Sequence, residues 1–327
     1  MQVDKCILPQ LAFGHTRTVY SEAGWQFFRF TENQTLIFSA YNTYYPESFF
    51  DGYFLRNCAT DAGICLDFHT DSSFVTFHIS DNVPANGSVN NLFDILVNGK
   101  HRLSSENPGS YTVSLSKNSR VTLSFPYFAH LTLSGIEVDD GSSVTPHTFR
   151  KKWLVLGDSI THGCTATHPT QCYAVKAALR HDVEILNQGN AGYVHDHRII
   201  DAAMSFQPDI ITSAYGINDL GRKSEANNIA DTEQYFSELR ATFPTSKIYM
   251  ISPIWADFLD GKENKPRRDA MYAIYTSIAE KQNISLIDGR KLVPHNRKYY
   301  LEDCVHPCDD GFAYYASRLG KILFVET

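Results

Sequence analysis

No apolar run in the sequence approaches the roughly 20 residues that a membrane-spanning helix needs. The first residues, Met1-Gln2-Val3-Asp4-Lys5-Cys6, lack a basic stretch followed by an apolar one. No secretory signal is therefore expected, and a cytoplasmic location is. Positive charge is in short supply: 29 Lys and Arg against 36 Asp and Glu leave a formal net charge of −7. That balance gives no electrostatic attraction to nucleic acid or to an anionic membrane, and neither is expected as a partner. The seven cysteines, Cys6, Cys58, Cys65, Cys164, Cys172, Cys304 and Cys308, include no CxxC pair. Their odd number argues against a disulfide framework. Cys164, Cys172, Cys304 and Cys308 could be drawn together as zinc ligands only across irregular spacings, so free thiols and no metal are the expectation.

What is present divides the chain in two. A length of 327 residues points to two domains. Residues 1–148 are rich in short segments that alternate apolar and polar side chains, such as Ile64-Cys65-Leu66-Asp67-Phe68-His69-Thr70 and Phe74-Val75-Thr76-Phe77-His78-Ile79. Gly24 to Phe30 alternates in part, Thr35-Leu36-Ile37-Phe38 follows a Glu-Asn-Gln turn, and Tyr111 to Leu115, Arg120 to Phe125 and Leu131 to Val138 complete the set of expected strands. Phe93-Asp94-Ile95-Leu96-Val97 runs into Asn98-Gly99, a hairpin signal. Many short strands without a long helical pattern predict an all-β sandwich of jelly-roll type. The turn-rich Asp139-Asp140-Gly141-Ser142-Ser143 and the next four residues read as a linker.

Residues 149–327 follow a different rule. Strand-length apolar runs at 153–156, 183–186, 210–215, 248–252 and 285–287 alternate with helical patterns at 173–180, 196–206, 231–243, 267–282 and 312–324. Tyr235, Leu239 and Phe243 place an apolar stripe on one helix face. This alternation predicts right-handed crossovers and a parallel sheet covered on both faces.

The run Trp153-Leu154-Val155-Leu156 ends in Gly157-Asp158-Ser159, which puts a serine at the edge of the sheet where ligands bind in parallel α/β folds. A serine nucleophile needs a base, an acid to orient it and donors for an oxyanion. The Gly-x-Ser-x-Gly elbow of α/β hydrolases is absent, because Thr161 stands two residues after Ser159. A base candidate lies in Asp303-Cys304-Val305-His306-Pro307. A carboxylate three residues before a histidine can fold back onto its Nδ1 and leave Nε2 for the serine. Asn187-Gln188-Gly189-Asn190-Ala191-Gly192 follows one strand and can present backbone N–H groups. Gly216-Ile217-Asn218-Asp219 follows another and offers a side-chain amide. Each of these loops alone reads equally as an ordinary turn.

In combination, the four blocks resemble those of the SGNH hydrolase superfamily, the GDSL esterases and lipases, over about residues 150–327. Gly157-Asp158-Ser159-Ile160 matches the first block, with Ile where Leu is common. The resemblance implies a flavodoxin-like three-layer α/β/α domain with five parallel strands. It implies Ser159 as nucleophile, His306 as base and Asp303 as its partner. It also implies an oxyanion hole of Gly192 N–H, Asn218 Nδ2 and Ser159 N–H. No cofactor is expected. Ser124 to Ala129 and Ser134 to Val138 are similar to the end of the sandwich domain that precedes some bacterial esterases of this type, carbohydrate acetylesterases among them.

The expected substrate is a small-molecule or oligosaccharide ester, deacetylation of sugars being the leading activity. Acyl transfer, lipid or thioester hydrolysis, and an inactive glycan-binding protein are the alternatives. His162 and His168 read as pocket-lining imidazoles or loop residues, and Trp255 as a sugar-stacking ring or core packing. Asp196 in His195-Asp196-His197 reads as a helix cap in preference to a metal ligand.

Overall fold

The computed structural model describes residues 1–40, 52–85 and 91–324. Alternation in the first half folds into two antiparallel sheets. One runs in the order Ala12–Phe13, Cys65–Thr70, Ser119–Ser124, Phe93–Val97, Lys100–Ser105. The other runs Arg17–Ser21, Gly24–Phe28, Ala129–Glu137, Phe74–Pro84, Gly109–Ser114. Their inner faces share one core, in which Leu66, Phe68, Val121 and Leu123 of the first sheet meet Phe27, Phe77, Leu131 and Leu133 of the second. This is the sandwich that the alternating pattern predicts. Asn98 and Gly99 both take positive φ, as a two-residue hairpin turn requires.

The second half carries a five-stranded parallel sheet in the order Val183–Gly189, Lys151–Gly157, Ile210–Ala214, Lys247–Ile251, Ser285–Ile287. The strand leading to Ser159 is next to the edge strand and buried on both faces. Trp153 and Val155 point to a layer that contains helices Tyr173–His181 and Asp309–Phe324. Leu154 and Leu156 point to the opposite layer, with helices Glu225–Thr242 and Lys265–Lys281. The result is the expected three-layer α/β/α arrangement.

Three local expectations are corrected. Residues 35–38 are not a strand but lie in helix Glu32–Ser39, which starts at a capping box: the Thr31 hydroxyl accepts from Gln34 N and the Gln34 side chain accepts from Thr31 N. The segment 196–206 makes only a short 3-10 turn, His197–Ile199. Its polar groups bond elsewhere: Gln34 Nε2 donates to Ile199 O (2.7 Å), and Asp201 accepts from the Thr31 hydroxyl (2.6 Å) and from Ala203 N (2.9 Å). The expected linker contains strand Val144–Pro146, paired with Cys65–Thr70.

Helices Glu32–Ser39 and Tyr53–Cys58 lie early in the chain, yet they do not contribute to the sandwich core. Phe30, Phe38, Phe54 and Cys58 are buried in the same cluster as Leu154, Leu156 and Leu186 of the parallel sheet. Phe38 and Phe54 each contact Tyr193 edge to face, with ring centroids 4.9 and 5.0 Å apart.

Candidate active site

Close packing at three neighbouring strand ends builds the site. Gly157, Gly189 and Ala214 are in register across the sheet. A side chain at Gly157 would place its Cβ 2.1 Å from Thr161 Oγ1, and one at Gly189 would come within 2.3 Å of His162 N. Glycine at both positions lets the turn around Ser159 sit directly on the sheet edge. Asp158 caps the following turn by accepting from Ile160 N (3.1 Å). Burial pushes the Asp158 carboxyl up to about 7, against the pull of that N–H.

Ser159 Oγ lies 2.7 Å from His306 Nε2, and His306 Nδ1 lies 2.6 Å from Asp303 Oδ2. A carboxylate only accepts, so Nδ1 carries the proton and Nε2 is left as the acceptor for the serine hydroxyl. The other Asp303 oxygen accepts from Val305 N (2.9 Å) and His306 N (3.0 Å). Partial burial pushes the Asp303 pKa up, but the two backbone N–H groups and the imidazole outweigh it and hold the carboxyl below its ordinary value. The loop closes on itself through Leu301 N to His306 O (2.9 Å) and through the Tyr300–Pro307 bridge.

On the other side of the serine, Asn190 N donates to Gly157 O (2.9 Å), and Gly192 follows with φ +80°. Asn218 Nδ2 donates to the carbonyl of Tyr193 (3.1 Å), the residue after Gly192, which ties the Asn218 turn to the loop that carries Gly192. His162 does not line a cleft. It is fully buried under this loop. Its Nε2 is 2.7 Å from the Tyr127 carbonyl, which can only accept, so Nε2 carries the proton and Nδ1 accepts from Ala191 N (3.3 Å). Burial, reinforced by the Arg29 charge, holds His162 well below its ordinary pKa, so it stays neutral.

The residue that sequence reasoning missed is Arg29, fully buried between the two halves. Its five N–H groups reach five acceptors. Nε donates to Thr60 O (2.6 Å), Nη1 to Asn187 O (2.6 Å) and Gly189 O (3.0 Å), and Nη2 to Asn57 O (2.9 Å) and Thr60 Oγ1 (2.9 Å). The sequence signal was a lone cation inside the apolar run Phe27-Phe28-Arg29-Phe30. Desolvation lowers the Arg29 pKa to about 10, still well above neutrality.

Trp255 is buried, with its ring near His295 and Tyr300 and its Nε1 donating to Asp260, which is core packing and not an open stacking platform. His168 points away to Asp94 on the sandwich. His195 is buried against Asp219, while Asp196 caps its short turn. All seven cysteines are free thiols. Among the described residues only Asp94, His101 and His168 converge as a metal-ligating group, so neither the cysteine set nor His195-Asp196-His197 does. No helix of the described residues is long and apolar enough to cross a membrane. An apolar cavity of about 20 Å³ is lined by Asp158 and Ile160 on either side of Ser159, by Ile217 before Asn218 and by Val305 before His306, and not by Ser159, Asp303 or His306 themselves.

Residues 155–314 match the GDSL-like lipase/acylhydrolase family. No curated protein sequence matches the chain. Among solved structures, the salicylyl-acyltransferase SsfX3 from a tetracycline biosynthetic pathway aligns over 96% of this chain and 96% of its own, with a TM-score of 0.79 at 18% identity. A family two carbohydrate esterase from Cellvibrio japonicus aligns over 96% and 94%, with a TM-score of 0.64 at 17% identity. A family 2 carbohydrate esterase with a carbohydrate-binding domain from Corynascus thermopiles (Myceliophthora fergusii) aligns over 81% and 95%, with a TM-score of 0.63 at 14% identity. At these identities the likeness is one of fold, and it takes in the sandwich as well as the parallel-sheet half.

Proposed function

Because residues 155–314 match the GDSL-like lipase/acylhydrolase family, we propose that the protein is a serine esterase that removes short acyl groups, acetyl above all, from sugars. The observation that carries this reading is the continuous hydrogen-bonded path from Ser159 Oγ through His306 to Asp303. Ser159 attacks the ester carbonyl while His306 Nε2 takes its proton. Asp303 holds the imidazole in the required tautomer and stabilises its charged form. Gly192 N–H, Asn218 Nδ2 and Ser159 N–H receive the oxyanion, a role worth about 2.7–4 kcal/mol for each donor. His306 then returns the proton to the leaving alcohol, and water repeats the steps on the acyl-enzyme.

Carbohydrate esterases among the structures of like fold support sugar as the alcohol. The test is acetate release from a panel of acetylated oligosaccharides, with Ser159→Ala as control. Sugar binding with no Ser159-dependent acetate release would sink the reading and revive a glycan-binding protein.

A second reading is transfer of the acyl group to an acceptor other than water. The likeness to an acyltransferase over nearly the whole of both chains favours it. Product partition between free acid and a new ester in the presence of an added alcohol separates the two. A profile of p-nitrophenyl ester chain lengths separates both from a lipid or thioester hydrolase.

A further inference from the structure

We propose that Asp94, His101 and His168 form a divalent transition-metal site, suited to zinc, at the seam between the sandwich and the parallel-sheet half. The inference does not depend on the role of Ser159. Asp94 lies on strand Phe93–Val97 and His101 on its hairpin partner Lys100–Ser105, while His168 lies in the loop that follows the serine turn. The three potential ligand atoms all lie within 4.8 Å of one another.

Geometry and charge both favour an ion. Asp94 is completely buried, and among the described residues its ion-pair partners are these two histidines and no Lys or Arg. A buried carboxylate without a fixed cation is costly, and a divalent ion removes that cost. Asp94 Oδ1 is 2.9 Å from His168 Nδ1 and 3.7 Å from His101 Nε2. The Ser104 hydroxyl adds a fourth oxygen, 2.6 Å from Asp94 Oδ1, 2.7 Å from His101 Nε2 and 3.3 Å from His168 Nδ1. Zinc bonds of about 2.0–2.1 Å set the edge of a tetrahedral shell at roughly 3.3–3.4 Å. The five separations, from 2.6 to 3.7 Å, straddle that edge, and the sixth, His101 Nε2 to His168 Nδ1, lies within 4.8 Å, so small side-chain shifts would close the four atoms into a shell.

The two imidazole planes cross at 80°, which lets the nitrogens approach one point from different directions. The second Asp94 oxygen is fixed by Thr170 Oγ1 (2.6 Å) and Thr170 N (3.4 Å), an outer-shell arrangement of the kind that orients ligating carboxylates. Zinc takes the two imidazoles neutral and the carboxylate ionised, with Ser104 or a water as fourth ligand. Binding therefore displaces the protons that join these groups in the ion-free cluster.

The other histidine pair at the seam is an internal contrast. His69 Nε2 meets His147 Nδ1 (2.9 Å), and His147 Nε2 meets Asp182 (2.7 Å). These groups are threaded in series through one ring, and their lone pairs do not converge.

The test uses the full-length protein, stripped with EDTA and then freed of chelator, titrated with ZnCl₂ by calorimetry and with Co²⁺ by visible absorption. The expected result is one saturable zinc equivalent, a higher melting temperature and cobalt bands of tetrahedral intensity. Loss of an outer-shell partner alone costs about 10–100-fold in affinity, so His101→Ala and His168→Ala should each weaken binding at least about tenfold. His101 is half-exposed on a surface strand, so its variant should fold, and His69→Ala should bind as wild type does. The proposal is overturned if no saturable equivalent binds, or if the His101→Ala/His168→Ala double variant retains it, in which case the cluster is a hydrogen-bonded contact only.

Discussion

His306 and Asp303 stand three residues apart and hold each other inside one closed loop. The Asn187–Gly192 stretch across the serine is secured differently. Its carbonyls at Asn187 and Gly189 are gripped by Arg29, 158 and 160 positions earlier in the chain, and its Ala191 N–H rests on His162. One side of the site is thus largely self-contained, with Thr165 Oγ1 to Pro307 O (2.7 Å) and Asp257 N to Cys304 O (3.2 Å) as added ties. The other is braced by Arg29, which folds with the first sixty positions, and by His162. A local loop can be tuned without disturbing the fold. A loop braced from a distance ties activity to stability.

The largest test of this contrast concerns the serine between the two sides. Ser159→Ala should lower kcat by roughly 10⁴–10⁶-fold with an unchanged melting temperature. Activity within tenfold of wild type would remove the centre from the comparison. Asp303→Asn, on the local side, should cost about 10⁴-fold in kcat through the wrong imidazole tautomer while leaving the melt unaltered. A melting temperature lowered by many degrees would show that the loop is not self-contained.

Arg29→Gln tests the remote side. Misplacing an oxyanion donor should cost about 10²–10³-fold in kcat. Each buried carbonyl left without a donor should add about 1–3 kcal/mol of destabilisation. Rate and melting temperature should therefore fall together, with Arg29→Lys intermediate in both. Unchanged values for both would break the contrast.

The smallest effect is one of pH. His162 is neutral in the folded protein but takes up a proton near pH 6.5 when unfolded. The unfolded chain then binds more protons, so this group lowers stability as pH falls below about 6.5. His162→Gln should remove that slope, changing the wild-type-minus-variant stability by at most about 1.4 kcal/mol per pH unit between pH 6.5 and 5. Asp158, pushed up to about 7, tilts the opposite way, but in both proteins alike, so denaturant melts compared across pH isolate His162.

The local side was legible in sequence for the same reason that it is self-contained. A carboxylate three residues before a histidine, or a glycine ahead of a serine at a strand end, can be read inside a short window. The parallel sheet and sandwich were legible too, because alternation and strand-helix spacing are local signals. The capping box Thr31-Glu32-Asn33-Gln34 was also in plain view, but Leu36, Ile37 and Phe38 in a β-rich neighbourhood outweighed it, and the helix was read as a strand. The segment 196–206 fails as a helix because Gln34 and Thr31 bond its polar groups, and no window of sequence contains both partners. Arg29, likewise, is meaningful only beside acceptors that stand 28 to 160 positions away.

The placement of Phe30, Phe38 and Phe54 under the parallel sheet bears on how this chain can be divided. A fragment beginning at residue 149 retains all three proposed triad side chains but loses three aromatic rings from the floor of its own interior, along with the guanidinium that closes the Asn187 strand. Such a fragment should aggregate instead of working as a portable esterase. The sandwich strands could be exchanged in a chimera, but residues 29–60 would have to travel with the catalytic half as an inseparable part of it.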